Sequence, residues 1–308
     1  MARIIVTGGT GFIGKALCFR LLEENYEVVA LSRSQAKGEK ILGTGVKVVE
    51  WDGRSSEGWL DYARGAYAVV NLAGENIGSG RWTRKRKHSI LKSRLDAGQA
   101  VVEAVKTVDR KPKVVIQASA IGYYGLHEDE IIDESFSAGE GFLAGVAKKW
   151  ELSTQEIETL DVRRVIIRSG VVLGREGGAF LRLVKPFRLF VGGHLGSGKQ
   201  WFSWIHLEDE VKAILFLLER DDLQGAFNLT TPRQIRQKDF ARLLGRIMKR
   251  PSWLPVPGFM LRLYLGRMAQ ETILSGQRVK PRRLLEAGYR FTYPQADLAI
   301  KEILGKID

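Results

Sequence analysis

The residues most able to do chemistry stand near the start of the chain. The run Thr7-Gly8-Gly9-Thr10-Gly11-Phe12-Ile13-Gly14 spells Gly-x-x-Gly-x-x-Gly. Gly8 permits a tight turn, Gly11 lets a backbone approach a pyrophosphate with no Cβ in the way, and Gly14 lets a following helix pack closely on a preceding strand. The unpaired N–H groups and positive dipole end of that helix would face the phosphates. We therefore read Gly8, Gly9, Thr10, Gly11, Phe12, Ile13 and Gly14 as a dinucleotide cradle. About 20 residues further on, an NAD site places an acid to accept from the ribose 2′-OH. Here the residues are Ser32-Arg33. A guanidinium and a hydroxyl would bind a 2′-phosphate that a carboxylate would repel, so the expected cofactor is NADP(H).

Other groups fall at the ends of apolar runs. Asp52 is placed either to meet an adenine amino group or to form a turn. The run Leu72-Ala73-Gly74 ends in small residues that would let a cofactor ribose lie against the backbone. Ser119 ends a further apolar run, where it is either a substrate or nicotinamide contact or the cap of the next turn.

The elements that must position these groups follow from periodicity. Strands are expected at 2–7, 27–32, 46–51, 68–72, 113–118 and 162–168, with helices from Phe12, over 84–106, over 141–159 and over 208–219. Alternation of this kind specifies an α/β fold, a Rossmann-type doubly wound parallel sheet. After Gly170 the rhythm changes, and from Arg236 it is helical but broken by prolines. The expected division is a cofactor domain from 1–170 plus 203–229 and a smaller, mostly α domain from 171–202 plus 230–308.

Composition narrows the class. The chain has 308 residues, 44% hydrophobic and 27% charged, with a single Cys, which excludes a disulfide framework and a Cys-based zinc site. Only 4 His are present, none in paired spacing, so no metal is expected, and His206 ahead of Glu208-Asp209-Glu210 reads as a helix entry. The start of the chain has no secretory pattern and no apolar stretch reaches bilayer length, so a cytoplasmic protein with no membrane partner is expected. Net charge is +13, and residues 231–308 hold 16 Lys/Arg against 6 Asp/Glu. A second basic run is Arg81-Trp82-Thr83-Arg84-Lys85-Arg86-Lys87-His88. With no nucleic-acid signature, this charge is read as solubilising or as attracting an anionic small molecule. A homo-oligomer is left open.

The cradle, the segment Asn71-Leu72-Ala73-Gly74-Glu75-Asn76-Ile77, and Ser119 followed by Tyr123-Tyr124-Gly125 resemble the extended short-chain dehydrogenase/reductases, the NAD-dependent epimerase/dehydratase group. Arg81-Trp82-Thr83, Ser93-Arg94 and Arg168-Ser169-Gly170-Val171-Val172-Leu173-Gly174 narrow the resemblance. So do Gly196-Ser197-Gly198-Lys199-Gln200-Trp201-Phe202-Ser203-Trp204-Ile205-His206 and Leu274-Ser275-Gly276-Gln277-Arg278-Val279. Together they resemble a subfamily of uncharacterised epimerase-like proteins, sometimes labelled cell-division inhibitors, with its own C-terminal domain of unknown function. The resemblance implies that NADP(H) is held by the glycine turn, by Ser32 and Arg33, by Leu72 and Ala73, and by the helix carrying Ser89 and Arg94.

Such enzymes use a Tyr as acid/base with a Lys four residues later. None of the 8 tyrosines has that lysine, and the helix that should carry the pair has no Tyr. The substitutes open to this sequence are Tyr123, Tyr124, Glu75 and His206, with Ser119 as carbonyl contact. The expected function is an NADP(H)-dependent oxidoreductase or nucleotide-sugar-epimerase-like protein acting on an unidentified small molecule. The alternative is a non-catalytic NADP(H)-binding sensor or regulator.

Overall fold

The computed structural model describes residues 1–305. Seven strands form its main sheet: β1 (Arg3–Thr7), β2 (Glu27–Ser32), β3 (Lys47–Glu50), β4 (Ala68–Asn71), β5 (Val114–Ala120), β6 (Arg163–Ser169) and β7 (Gly225–Leu229). All pairs are parallel, in the order β7-β6-β5-β4-β1-β2-β3. Strand order reverses between β1 and β4, the switch point at which such sheets open a crevice for ligands.

Both faces of the sheet are covered, which is why its strands read as continuous apolar runs. Ile4 and Val6 of β1 join one core with Leu17, Cys18 and Leu21 of α1 (Phe12–Glu23) and Ile214 and Leu218 of a later helix. Ile5 points the other way, into a core with Ala97, Val101 and Val105. The helices packed on this frame, besides α1, are α2 (Gln35–Leu42), α3 (Arg84–Thr107), α4 (Phe142–Leu152) and α5 (Leu207–Glu219). The helix expected over 141–159 stops at Leu152. Ser153 Oγ donates to Trp150 O at 2.7 Å, and a 3₁₀ turn, Gln155–Thr159, follows.

A further apolar cluster gathers Leu173, Phe180, Phe187, Trp204, Phe240, Leu244 and Ile300. The segment after Gly170 supplies a helix to it, Phe180–Arg188. Not all of the C-terminal part stays with that cluster. Leu284 and Tyr289 join the core beneath α1 and α5, and Met268 packs with Trp82, Ile90 and Val146. Among the described residues no helix is long and apolar enough to cross a membrane.

Candidate functional site

The glycine turn leaves β1 at the switch point and enters α1. Gly8 has φ +68°, and a Cβ there would lie 3.0 Å from Leu72 O. A Cβ on Gly14 would lie 2.3 Å from Gly8 O, so helix and strand meet too closely for any side chain. Gly11 is the N-cap residue and supplies no side-chain hydrogen bond to the helix start. Its added Cβ would meet Gly8 O alone, at 3.1 Å, and otherwise project into open space. The arrangement is a concave backbone with unsealed N–H groups, which suits a pyrophosphate. Phe12 turns its ring away to pack on the glycines of the loop 174–178, where a Cβ on Gly177 would lie 2.6 Å from it. Ile13 packs against the core. Lys15 ties the same loop down through Glu176 at 2.9 Å.

At the end of β2, the Ser32 hydroxyl donates to Ser34 O at 3.1 Å. Arg33 is exposed and has no ion-pair or hydrogen-bond partner among the described residues. Asp52 forms a turn: Oδ1 accepts from Arg54 N at 2.8 Å and Ser55 N at 3.0 Å. These bonds hold its carboxyl below the usual range. Beyond β4, Thr7 Oγ1 accepts from Ala73 N at 3.1 Å and donates to Asn71 Oδ1 at 2.6 Å, fixing Leu72 and Ala73 beside the cradle. Gly74 lies under the Arg94 guanidinium, 3.1 Å from its added Cβ to Cζ. Arg94 is 9% exposed and stacks on Trp150 at 4.7 Å. Its Nη1 donates to Glu75 O at 3.0 Å and Ile90 O at 2.9 Å. Burial pushes this guanidinium down to about 10, against the opposing pull of Glu75. Ser89 bonds back to Lys85 O.

A cavity of about 200 Å³ opens at the carboxyl edge of β5 and β6, lined by Ala120, Ser169 and Gly170 from the sheet and by Arg94 from α3. From α4 it receives Leu143, Val146, Ala147 and Trp150, an apolar face where a Tyr and Lys pair would be looked for. The far wall is Gln200, Trp201, Phe202 and Ser203 with Glu271, Ile273 and Ser275-Gly276-Gln277. Close backbone approach joins these blocks, since a Cβ on Gly276 would lie 1.8 Å from Trp201 O. Ser203 Oγ donates to Gln277 O at 2.6 Å, and the Gln277 amide donates to Gly125 O. Glu271 Oε2 accepts from Leu143 N at 2.9 Å and so caps α4. Gln237 also lines the cavity; nothing in the local spacing of Gln237 or Glu271 marks them in the sequence, and chain reversal alone brings them here.

Ser119, Tyr123 and Tyr124 do not line this cavity. Ser119 Oγ donates to Glu151 Oε1 at 2.6 Å, and Arg168 grips the same carboxylate with Nε and Nη2, both at 2.9 Å. Arg168 Nη1 also donates to the Tyr124 hydroxyl at 3.0 Å, which donates to Asn228 Oδ1 at 2.7 Å. Tyr124 is 0% exposed, and burial pushes its phenol up to about 12 despite Arg168. Burial opposes the charge on Arg168 more than any single neighbour favours it, but its interactions with Glu151 and Tyr124 together outweigh that and leave it above its ordinary value. The Tyr123 ring lies 3.6 Å beneath the Arg168 guanidinium. Of the other acid candidates, Glu75 pairs with Arg86 at 2.6 Å. His206 caps α5 through Glu208 N at 3.2 Å and meets Glu302 at 2.9 Å. No cluster of His, Cys, Asp or Glu that could hold a metal occurs among the described residues.

Comparison with known proteins agrees with this fold. Residues 256–303 match a domain of unknown function, DUF1731. The chain is 40% identical over 307 residues to the Arabidopsis thaliana "Epimerase family protein SDR39U1 homolog, chloroplastic", covering 98% of this chain and 86% of that one. It is 38% identical to the Bacillus subtilis epimerase family protein YfhF, over 98% of this chain and 97% of the relative. Among solved structures, human epimerase family protein SDR39U1 (isoform 2) with NADPH superposes with a TM-score of 0.88 at 34% identity, covering 99% of this chain and all of that one. UDP-glucose 4-epimerase of Thermus thermophilus, complexed with NAD, shares the fold at a TM-score of 0.77 and 18% identity, covering 99% of this chain and 100% of that one. Residues 4–230 match the NAD dependent epimerase/dehydratase family, and with relatives of this similarity along nearly its whole length the chain belongs to that family.

Proposed function

We propose that this chain binds NADP(H) and works as an oxidoreductase or epimerase-like enzyme on a small molecule held in the cavity between the sheet edge and the 271–277 segment. The observation that carries the reading is the pairing of an open glycine cradle with an exposed, unpartnered Arg33 at the end of β2. An acid there would repel a 2′-phosphate, whereas a guanidinium forms charge-assisted bonds to it. Similarity to a human protein solved with NADPH supports the same cofactor.

With 1–170 plus 203–229 taken as one domain and 171–202 plus 230–308 as the other, that cavity would lie between them. Gly8, Gly9, Thr10, Gly11 and Gly14 would hold the pyrophosphate, Ser32 and Arg33 the adenosine end, and Leu72, Ala73 and Gly74 the ribose. Arg94, whose charge burial penalises, would gain from a neighbouring anion. When bound, the nicotinamide supplies a hydride donor or acceptor. This chain's residues would orient the substrate against an apolar wall and exclude water; Arg94, Ser169, Gln200, Gln237 and Glu271 are among the polar residues that line the cavity.

A specific observation favours a second reading, a non-catalytic NADP(H) sensor. The α4 face turned to the cavity is apolar, and the Ser119 and Tyr124 hydroxyls are already engaged. Calorimetry with Arg33→Ser tests the cofactor. NADPH affinity should fall roughly 10- to 100-fold, the worth of one or two charge-assisted bonds, with NADH unchanged; equal losses for both would overturn it. A carbonyl panel then tests the oxidoreductase, which consumes NADPH. An epimerase returns its hydride within each turnover and is read instead by conversion of nucleotide-sugar substrates to their epimers. Tight NADPH binding with neither signal supports the sensor.

A further inference from the structure

Beyond Met1, the most exposed large apolar side chains belong to two neighbouring segments, 189–191 and 253–264. Helix Gly258–Leu265 has no buried residue, and Phe259, Leu263 and Tyr264 are 67%, 77% and 79% exposed. Beside it Trp253 is 64% exposed and Phe190 54% exposed. The two segments are tied together: Trp253 N donates to Gly192 O at 3.0 Å, and Trp253 Nε1 donates to Phe190 O at 3.2 Å. Contiguous apolar exposure on this scale marks an interaction surface.

The charge around it has one sign. The sequence has no Asp or Glu between Glu176 and Glu208, between Asp239 and Glu271, or between Glu75 and Asp96. These three acid-free stretches meet here. Arg250 lies over the Phe190 ring at 4.3 Å. Arg81 lies 3.4 Å from the position of a Cβ on Gly266, at the end of the helix, and Leu265 packs with Trp82. Arg81, Arg188, Lys249, Arg250, Arg262 and Arg267 are exposed, and none has an acidic partner among the described residues. Arg81 of the basic run, with Arg262 and Arg267 of the basic C-terminal region, thus borders an apolar helix.

We propose that this face docks on the surface of an anionic lipid bilayer, with Phe259, Leu263, Tyr264 and Trp253 in the headgroup layer and the arginine and lysine rim on lipid phosphates. Tryptophan and tyrosine settle at that depth, and a surface helix with a basic border lies in the interface plane without crossing it. A second copy is a poorer occupant, because a twofold contact would set the same basic rim against itself. The helix also rides on the surface, which suits a planar interface.

The test uses the full chain with vesicles of phosphatidylcholine alone and of phosphatidylcholine doped with phosphatidylglycerol. Sedimentation should show binding to the doped vesicles only, weakening as salt rises. Arg262→Glu and Arg267→Glu should each lower the partition at least about fivefold, the worth of one basic residue near an anionic surface. Phe259→Glu with Leu263→Glu should abolish it. All these positions are exposed, so circular dichroism and NADPH affinity should be unchanged. Binding without preference for the anionic lipid, or variants that partition as the parent does, would overturn the proposal. So would a dimer in sedimentation velocity that Leu263→Glu dissolves, which would give the face to a second copy.

Discussion

Two clusters of polar groups lie at the carboxyl edge of the same sheet and are built on opposite rules. In the turn after β1, the start of α1 has no side-chain cap and Gly11 faces open space. At the end of β6, Arg168, Glu151, Ser119, Tyr124 and Asn228 satisfy one another in a buried chain of bonds. The first leaves donors unmatched where a ligand can reach them; the second leaves nothing for a ligand to match. Unmatched groups next to solvent cost the fold little and give binding its free energy, whereas buried ones must be paired to be tolerated. Chemistry-bearing residue types therefore do not locate a site by themselves.

The sharpest way to break this contrast is Arg168→Met. It strands Glu151 in the interior with only Ser119 as partner, and removing one member of a buried ion pair typically costs about 3–5 kcal/mol. Denaturant titration should show that loss, while the fraction still folded should bind NADPH as the parent does. A stable variant with ruined cofactor affinity would mean that the network serves the ligand.

Gly11→Asp probes the other side. Its φ of −77° and ψ of 175° suit a capping aspartate, although the new Cβ would sit tightly, 3.1 Å from Gly8 O. Stability should therefore move by no more than about 1 kcal/mol. The carboxylate would, however, claim the N–H groups and repel the phosphates. NADPH affinity should fall about 100-fold, or roughly 2.7 kcal/mol. Unchanged affinity by calorimetry would show that the turn is not the anion site.

The same contrast explains what could be read from the sequence. The cradle is local: strand, glycines and helix are consecutive, and each glycine answers a contact within a few residues or on the adjacent strand. The alternating sheet elements were legible for the same reason, down to β5 and β6. The helix expected over 141–159 ran too long because its stop is a side-chain bond, Ser153 back to Trp150, that periodicity does not register. Glu151 and Asn228 carried no signal, since their partners Ser119 and Tyr124 are 32 and 104 residues away. The cavity's far wall was visible only as two unexplained blocks, 196–206 and 274–279, whose meeting depends on the absent side chain of Gly276.

Among the buried polar atoms without a partner, one on a titratable carboxylate gives the finest test of the rule that buried groups are paired. Glu210 on α5 is 0% exposed; its Oε1 meets Ser169 Oγ, and its Oε2 has no partner. Burial pushes its carboxyl up to about 8, against the smaller opposing effect of the Ser169 bond. A raised carboxyl means that the folded chain keeps a proton the unfolded chain has lost. Its contribution is therefore intact below the unfolded value near 4.5 and is lost progressively as pH rises toward the folded one. Within that window one retained proton tilts stability downward by up to about 1.4 kcal/mol per pH unit. Glu210→Gln keeps a hydrogen-bonding group against Ser169 and cannot ionise, so that part of the slope should vanish. Denaturant titrations of both proteins at several pH values between 5 and 8 should diverge, with the variant gaining as pH rises. Parallel curves would mean that Glu210 is ionised in the fold and has a partner, and it would then be no exception to that rule.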